Sequence, residues 1–187
     1  GGQHQPPPGR PKAAAAPSGG SAEGEVAERG GQQFWLMEMN TRLQVEHPVT
    51  EALTGLDLVE WQIRVARGEA LPLAQDQVRL TGHAIEVRLC AEDEKFVPHA
   101  GRVLHFAPPP DSREFERAPL RLDHALQAGS KVTPYYDAML GKLIVHADTR
   151  ADAIDQLVVA LGRLELLGLP TNRAFLIECL QDQTFRD

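Results

Sequence analysis

The chain has little of what would place it on a membrane, on nucleic acid or in an oxidising compartment. Its two cysteines, Cys90 and Cys179, stand far apart with no Cys-x-x-Cys spacing, so neither a disulfide framework nor a zinc site is signalled and a reducing compartment fits. No apolar run approaches the roughly 20 residues of a membrane-spanning helix, and no signal-peptide core precedes the fold. Nineteen Lys and Arg against 26 Asp and Glu leave a net charge of −7 and a pI near 5.5. That balance offers no basic footprint for nucleic acid and no cationic run for a lipid surface. An anionic substrate must therefore meet local positive charge.

What is present is ordinary globular material after an unusual start. Apolar residues make up 42% and charged residues 24% of the 187, enough for one domain with a real core. Residues 1–30 are Pro, Gly, Ala and Ser with almost nothing bulky to bury, a composition that cannot offset the entropy of ordering, so a disordered segment is expected. Arg10 and Lys12 are too few, and the prolines too many, for a transit peptide.

From Phe34 the pattern sharpens. Phe34, Trp35, Leu36 and Met37 form an apolar run, polar/apolar alternation follows to Glu46, and the whole predicts an extended strand ended by Pro48. Thr50 offers a cap for a single amphipathic helix over 50–67, closed by Gly68. Val78–Leu80 and Ile85–Leu89 predict a strand or strand pair with Glu86 and Arg88 on its polar face. Val103–Phe106, Lys131–Pro134 and Lys142–His146 predict further strands. A helix capped by Thr149 or Asp148 follows, with Ala153, Leu157, Val158, Leu161 and Leu164 inward, and a last helix covers Thr171–Leu180. Strand, helix, several strands and two helices describe an α+β fold rather than a doubly wound sheet.

In an extended strand Glu38, Asn40, Arg42, Gln44 and Glu46 would share one face. Glu38 and Asn40 are hard oxygen ligands suited to Mg²⁺. Arg42 presents a planar fork for a small oxyanion, and Gln44 adds a donor. Glu46 could act as general base if burial or a nearby anion raises its pKa. Spacing alone leaves open a strand edge laced with ion pairs. His83, His146, Trp61, Tyr135 and Tyr136 read as structural, the tyrosines as core or interface aromatics.

The string EMNTRLQVEHPVTE, continued by LTGLDLVEWQIRVARGE, resembles the biotin carboxylase component of biotin-dependent acyl-CoA carboxylases, of methylcrotonyl-, geranyl-, propionyl- or acetyl-CoA type. GHAIEVRLCAED, the Pro-x-x-Gly at Pro98–Gly101, VTPYYDAMLGKLIVHADTR and GLPTNRAFL resemble the same family in order and spacing, over residues 34–187. The resemblance implies the end of an ATP-grasp domain (strand plus helix, 31–70) followed by the biotin carboxylase C-terminal α+β domain (71–187). It implies an ATP-dependent carbon–nitrogen ligase that carboxylates biotin through carboxyphosphate. Glu38 and Asn40 would then meet Mg²⁺ or Mn²⁺, and Arg42, Gln44 and the backbone of Val45 would hold bicarbonate. Glu46 would remove the bicarbonate proton, and Arg88 would stabilise the biotin anion, its bland alternative being an ion pair with Glu86. The implied cofactors are ATP, the divalent cation and biotin on a separate carrier. The implied partners are a biotin carboxyl carrier domain, a carboxyltransferase subunit and a second copy of the complete domain, in bacterial cytoplasm or the mitochondrial matrix. The tract DLVEWQIRVARGE leans toward the methylcrotonyl-, geranyl- or propionyl-CoA branch.

The family's glycine-rich phosphate loop and Met-Lys-Met biotinylation segment are absent from the sequence, and Glu25 lacks the apolar strand setting of a second metal ligand. The expectation is a fragment inactive by itself. A noncatalytic dimerisation module and another ATP-grasp ligase are the alternatives, the second disfavoured by the Arg-x-Gln-x-Glu-His-Pro continuation.

Overall fold

The computed structural model describes residues 27–29, 32–34 and 37–187 and divides into two compact units, 1–41 and 42–187. The expected disorder over 1–30 and the setting of Glu25 fall largely or wholly outside the described residues. In the first unit β1 (Ala27–Arg29) pairs antiparallel with β2 (Gln32–Phe34), Glu28 opposite Gln33. Residues 37–41 are in no regular element, and 37–40 are exposed.

The second unit begins with a bend and a turn rather than a strand. Residues 42–46 lead directly into α1 (His47–Thr54), with Glu46 at its N-cap and Pro48 in the first turn. The period-2 face expected for Glu38–Glu46 is therefore not formed. Polar alternation proposes a strand, but a strand needs a partner for its N–H and C=O groups, and none among the described residues pairs with this segment. Pro48 does not end an element but opens one, where its missing N–H costs nothing.

The single helix expected over 50–67 is two. Gly55 sits at φ 76°, a left-handed conformation that closes α1 through its N–H on Glu51 O at 2.8 Å. Asp57 then caps α2 (Leu58–Ala66), accepting from Glu60 N at 2.8 Å. Apolar spacing ran on through the junction, and the capping residues overrode it.

After a 3₁₀ turn at Gln75–Gln77, where a strand at Val78–Leu80 was expected, come β3 (His83–Cys90), β4 (Gly101–Arg102), β5 (His105–Ala107), β6 (Arg113–Glu114), β7 (Leu120–His124), β8 (Lys131–Val132) and β9 (Met139–Ala147). Helix α3 (Arg150–Arg163), β10 (Glu165–Leu167), α4 (Arg173–Gln181) and α5 (Gln183–Arg186) complete the chain. Thr149 caps α3 as expected, its hydroxyl accepting from Asp152 N. The main sheet runs β3-β9-β7-β6, antiparallel except for β6 beside β7, while β4–β8 and β5–β10 form separate pairs. No helix among the described residues is long and apolar enough to cross a membrane.

Strand alternation sorts the sheet into two chemically different faces. Leu89, Leu122, Leu143 and Val145 meet Ala153, Ile154, Leu157 and Leu161 of α3 in one core, each aliphatic contributing roughly 1.5–3 kcal/mol by burial. The other face puts Arg88, Lys142 and Asp123 in one row across β3, β9 and β7, and Glu86, Ile144 and Arg121 in the next. Helix α1 packs against β3 and β9.

Candidate functional site

The polar row on the sheet explains how the segment before α1 is held. Lys142 is buried at 8% exposure in the central strand, and its ammonium donates to the carbonyl of Val45. The same ammonium lies 3.6 Å from Asp123 Oδ2. Asp123 in turn accepts both arms of Arg121, at 2.7 and 2.9 Å, and Arg121 reaches Glu51 Oε2 of α1 at 2.8 Å. Glu51 Oε1 accepts from Leu58 N at 2.9 Å, which ties the start of α2 to the same network. Burying these charges is costly unless every one is paired, and here the pairing is mutual.

Residues 42–47 are thereby presented as a fixed turn. Arg42 is exposed and donates from Nη1 to Gln44 Oε1 at 3.1 Å. Gln44 O accepts from His47 N at 3.2 Å and lies 2.8 Å from His47 Nδ1. Glu46 meets Arg88 of β3, whose Nε and Nη2 both donate to one carboxylate oxygen, Nε at 2.8 Å. Asn172, just before α4, fixes the far end of that strand, accepting from Cys90 N at 2.9 Å and donating to Arg88 O at 3.1 Å. Arg42, Gln44 and Glu46, with His47 and Trp61, line an open groove of about 820 Å³.

Both partners of the Glu46–Arg88 pair are 47% exposed, so it contributes at most about 1 kcal/mol to stability. Its value lies in electrostatics. Partial burial pushes the Glu46 carboxyl up, but the Arg88 hydrogen bonds, a backbone N–H and the charges of Arg88 and Lys142 outweigh it and leave the pKa below the usual carboxylate value. The sequence reading asked for a raised pKa. The structure supplies the opposite while Arg88 stays in place. Glu86 behaves differently: burial raises it to about 7, Lys142 and Arg88 oppose, and Glu46 and Asp123 push it further up.

Of the residues singled out from sequence, the structure brings Arg42, Gln44, Val45, Glu46 and Arg88 into one neighbourhood of the second unit. Glu38 and Asn40 belong to the first unit, where both are exposed. They offer one carboxylate and one amide oxygen, a partial donor set of the kind Mg²⁺ accepts when substrate phosphates and water fill the rest. No cluster of three or more His, Cys, Asp or Glu that could hold a metal occurs among the described residues. Tyr135 and Tyr136 are 86% and 84% exposed and so are not core aromatics. His146 is structural as expected, its Nε2 lying 2.8 Å from Thr81 O.

The sequence reading missed Lys142, Asp123, Arg121, Glu51 and Asn172. The available signal was a charge inside an apolar strand, as in Lys142-Leu-Ile-Val, which on a buried strand demands a partner.

Residues 86–187 match the family model of the biotin carboxylase C-terminal domain, and residues 18–74 that of the carbamoyl-phosphate synthase L chain ATP-binding domain. A biotin carboxylase of Halalkalibacterium halodurans is 48% identical over 158 residues, 84% of this chain and 34% of that protein. The mitochondrial methylcrotonoyl-CoA carboxylase subunit alpha of Oryza sativa is 46% identical over 155 residues, 82% of this chain and 20% of that protein. The chain thus spans about a third or less of the curated relatives it matches. Among solved structures, the biotin carboxylase domain dimer of Hydrogenobacter thermophilus 2-oxoglutarate carboxylase, in complex with MgADP, ADP and bicarbonate, matches with a TM-score of 0.76. It is 42% identical, covering 84% of this chain and 34% of that one. The chain belongs to the biotin carboxylase family, with that family's C-terminal domain over residues 86–187 and the end of its ATP-binding domain before it.

Proposed function

We propose that this chain is the C-terminal portion of a biotin carboxylase that uses MgATP and bicarbonate to carboxylate carrier-bound biotin, and that its turn before α1 is the bicarbonate site. The observation that carries this reading is the Glu46–Arg88 pair, whose Glu46 lines the same groove as Arg42 and Gln44. Arg42 and Gln44 satisfy each other in the structure and would open to receive the planar anion bidentately. The carbonyl of Val45 is taken by Lys142, so its N–H is the group that would meet bicarbonate. Glu46 takes the bicarbonate proton as the oxyanion attacks the γ-phosphate of ATP and ADP leaves. Carboxyphosphate then yields CO₂ and phosphate, phosphate removes the biotin N1 proton, and the biotin anion captures CO₂.

Arg88 links the two halves of this sequence. While it holds Glu46 the carboxylate is a weak base; drawn toward the negative charge on biotin, it stabilises that charge and leaves Glu46 more basic. Glu38 and Asn40 would hold one side of Mg²⁺, which supplies charge neutralisation for the ATP phosphates when bound.

On this reading the family boundary lies near residue 70, and the 187-residue chain does not turn over by itself, since its sequence has no glycine-rich phosphate loop. A carrier domain, a carboxyltransferase and a second copy of the complete domain are the partners. The compartment is bacterial cytoplasm or, in a eukaryote, the mitochondrial matrix. A chimera joining residues 34–187 to the N-terminal two thirds of the Halalkalibacterium halodurans biotin carboxylase tests the proposal. It should carboxylate biotin with bicarbonate-dependent ATP hydrolysis, and Arg42→Ala should abolish both. A folded chimera whose turnover is unchanged by Arg42→Ala would refute the assignment.

A further inference from the structure

We propose that Glu86 is a positioning residue for Arg88: a second carboxyl that takes hold of the guanidinium when Glu46 releases it. The inference rests on the reading of Glu46 and Arg88 given above. Its starting point is an unexplained group. Both carboxyl oxygens of Glu86 are sealed from solvent and hydrogen-bond to nothing among the described residues, although buried polar groups are nearly always paired.

The surroundings say what that carboxyl is for. Glu86 lies two residues from Arg88, so both project from the same face of β3. Facing them are Lys142 and His146 on β9, Arg121 and Asp123 on β7, His47 and Glu51 on α1, and Glu46 at the turn. His146 is spoken for by Thr81 O, and His47 by Gln44 O. The remaining groups pair as three cations, Arg88, Arg121 and Lys142, against three carboxylates, Glu46, Glu51 and Asp123. The cluster is balanced when Glu86 is neutral. Burial, with Glu46 and Asp123 as like charges, keeps it so up to about pH 7.

That balance changes when Glu46 acquires a proton. Arg88 then loses its partner and the cluster gains one positive charge. Glu86 responds by releasing its own proton to water, and its carboxylate becomes the acceptor for the Arg88 guanidinium. Only O–H bonds are exchanged: one forms on Glu46, one breaks on Glu86, and the net charge of the cluster is restored. Arg88 thus stays beside Glu46 through the proton-transfer step instead of swinging into solvent.

The test is carboxyl and guanidinium NMR on the 187-residue chain, without bicarbonate or ATP. In the wild type, Glu86 Cδ should titrate near pH 7 and Arg88 Nε should show a step at the same pH. Glu46→Gln, which mimics the protonated base, should lower the Glu86 midpoint by about one unit, a tenfold change in proton affinity. Glu86→Gln should remove the Arg88 step. If Glu86 only filled space, Glu86→Gln would move the melting temperature and leave the chemical-shift step at Arg88 Nε as it was. A Glu86 midpoint unmoved by Glu46→Gln, or an Arg88 Nε flat from pH 5 to 8 in the wild type, overturns the proposal. Because no bicarbonate is used, failure here is separable from failure of the bicarbonate site, which is read from Arg42 and Gln44.

Discussion

The ammonium of Lys142, in the middle of the central strand β9, is bonded to the main-chain carbonyl of Val45, in the turn between Arg42 and Glu46. This fastens the largely exposed turn, the proposed bicarbonate site, to the most buried strand of the sheet, and it makes the turn's shape depend on a residue that touches no proposed substrate.

Lys142→Met keeps the aliphatic stem but leaves Val45 O and part of Asp123 without a donor. The loss of a charged hydrogen bond predicts a cost of roughly 1.5–3 kcal/mol, measured by urea denaturation. It also predicts faster amide exchange at residues 44–47 than in the α3 core. Unchanged exchange at the turn would show that α1 alone holds it.

Two glycines should respond in opposite directions. Gly55→Ala places a side chain at φ 76°, where it is strained, and should destabilise by about 1–2 kcal/mol while fraying the junction between α1 and α2. Gly162 lies inside α3, and a Cβ there would meet nothing within 4 Å. Gly162→Ala should stabilise by roughly 0.5–1 kcal/mol. Thermal melts of the two variants check both signs.

The pH dependence follows from Glu86. Its pKa is raised from 4.5 to about 7, so folding disfavours the ionised form. Below about pH 4.5 the group is neutral folded and unfolded and imposes no penalty; the penalty grows as pH rises and is complete above about 7. At roughly 1.4 kcal/mol per unit, discounted because Glu86 as a whole residue is only partly buried, it reaches about 1–2 kcal/mol. Glu86→Gln should therefore be more stable than the wild type at pH 8 and nearly equal to it at pH 4.5, as read from denaturation midpoints. Parallel stability curves for the two proteins would contradict the burial argument.

Much of the second unit was legible in the chain because it follows local rules. Thr149 announced α3, and alternation in Ile85–Leu89 and Lys142–His146 announced the two longest strands. The run from Arg42 to Glu46, with the text that follows it, pointed to the family that the comparisons show. Its conformation was misread, because a strand is a property of a pair and no partner strand among the described residues supplies one. The α1–α2 break was written in Gly55 and Asp57 but masked by apolar residues that kept helical spacing across it. Strand β7 was passed over because Arg121 and Asp123 turn their charges inward, toward Glu51 and Lys142, contacts 70 and 19 positions away that no local pattern carries.

Arg42, Gln44 and the Val45 N–H are proposed to form a bicarbonate site beside the Glu46–Arg88 pair. Titration of the isotopically labelled 187-residue chain with bicarbonate, followed by NMR, tests it most directly. Saturable shifts should appear at Arg42, Gln44 and Val45 and be lost in Arg42→Ala with the α3 core resonances unchanged. A folded wild-type chain with no saturable shift at these three residues, or an Arg42→Ala variant that binds as the wild type does, would contradict the account.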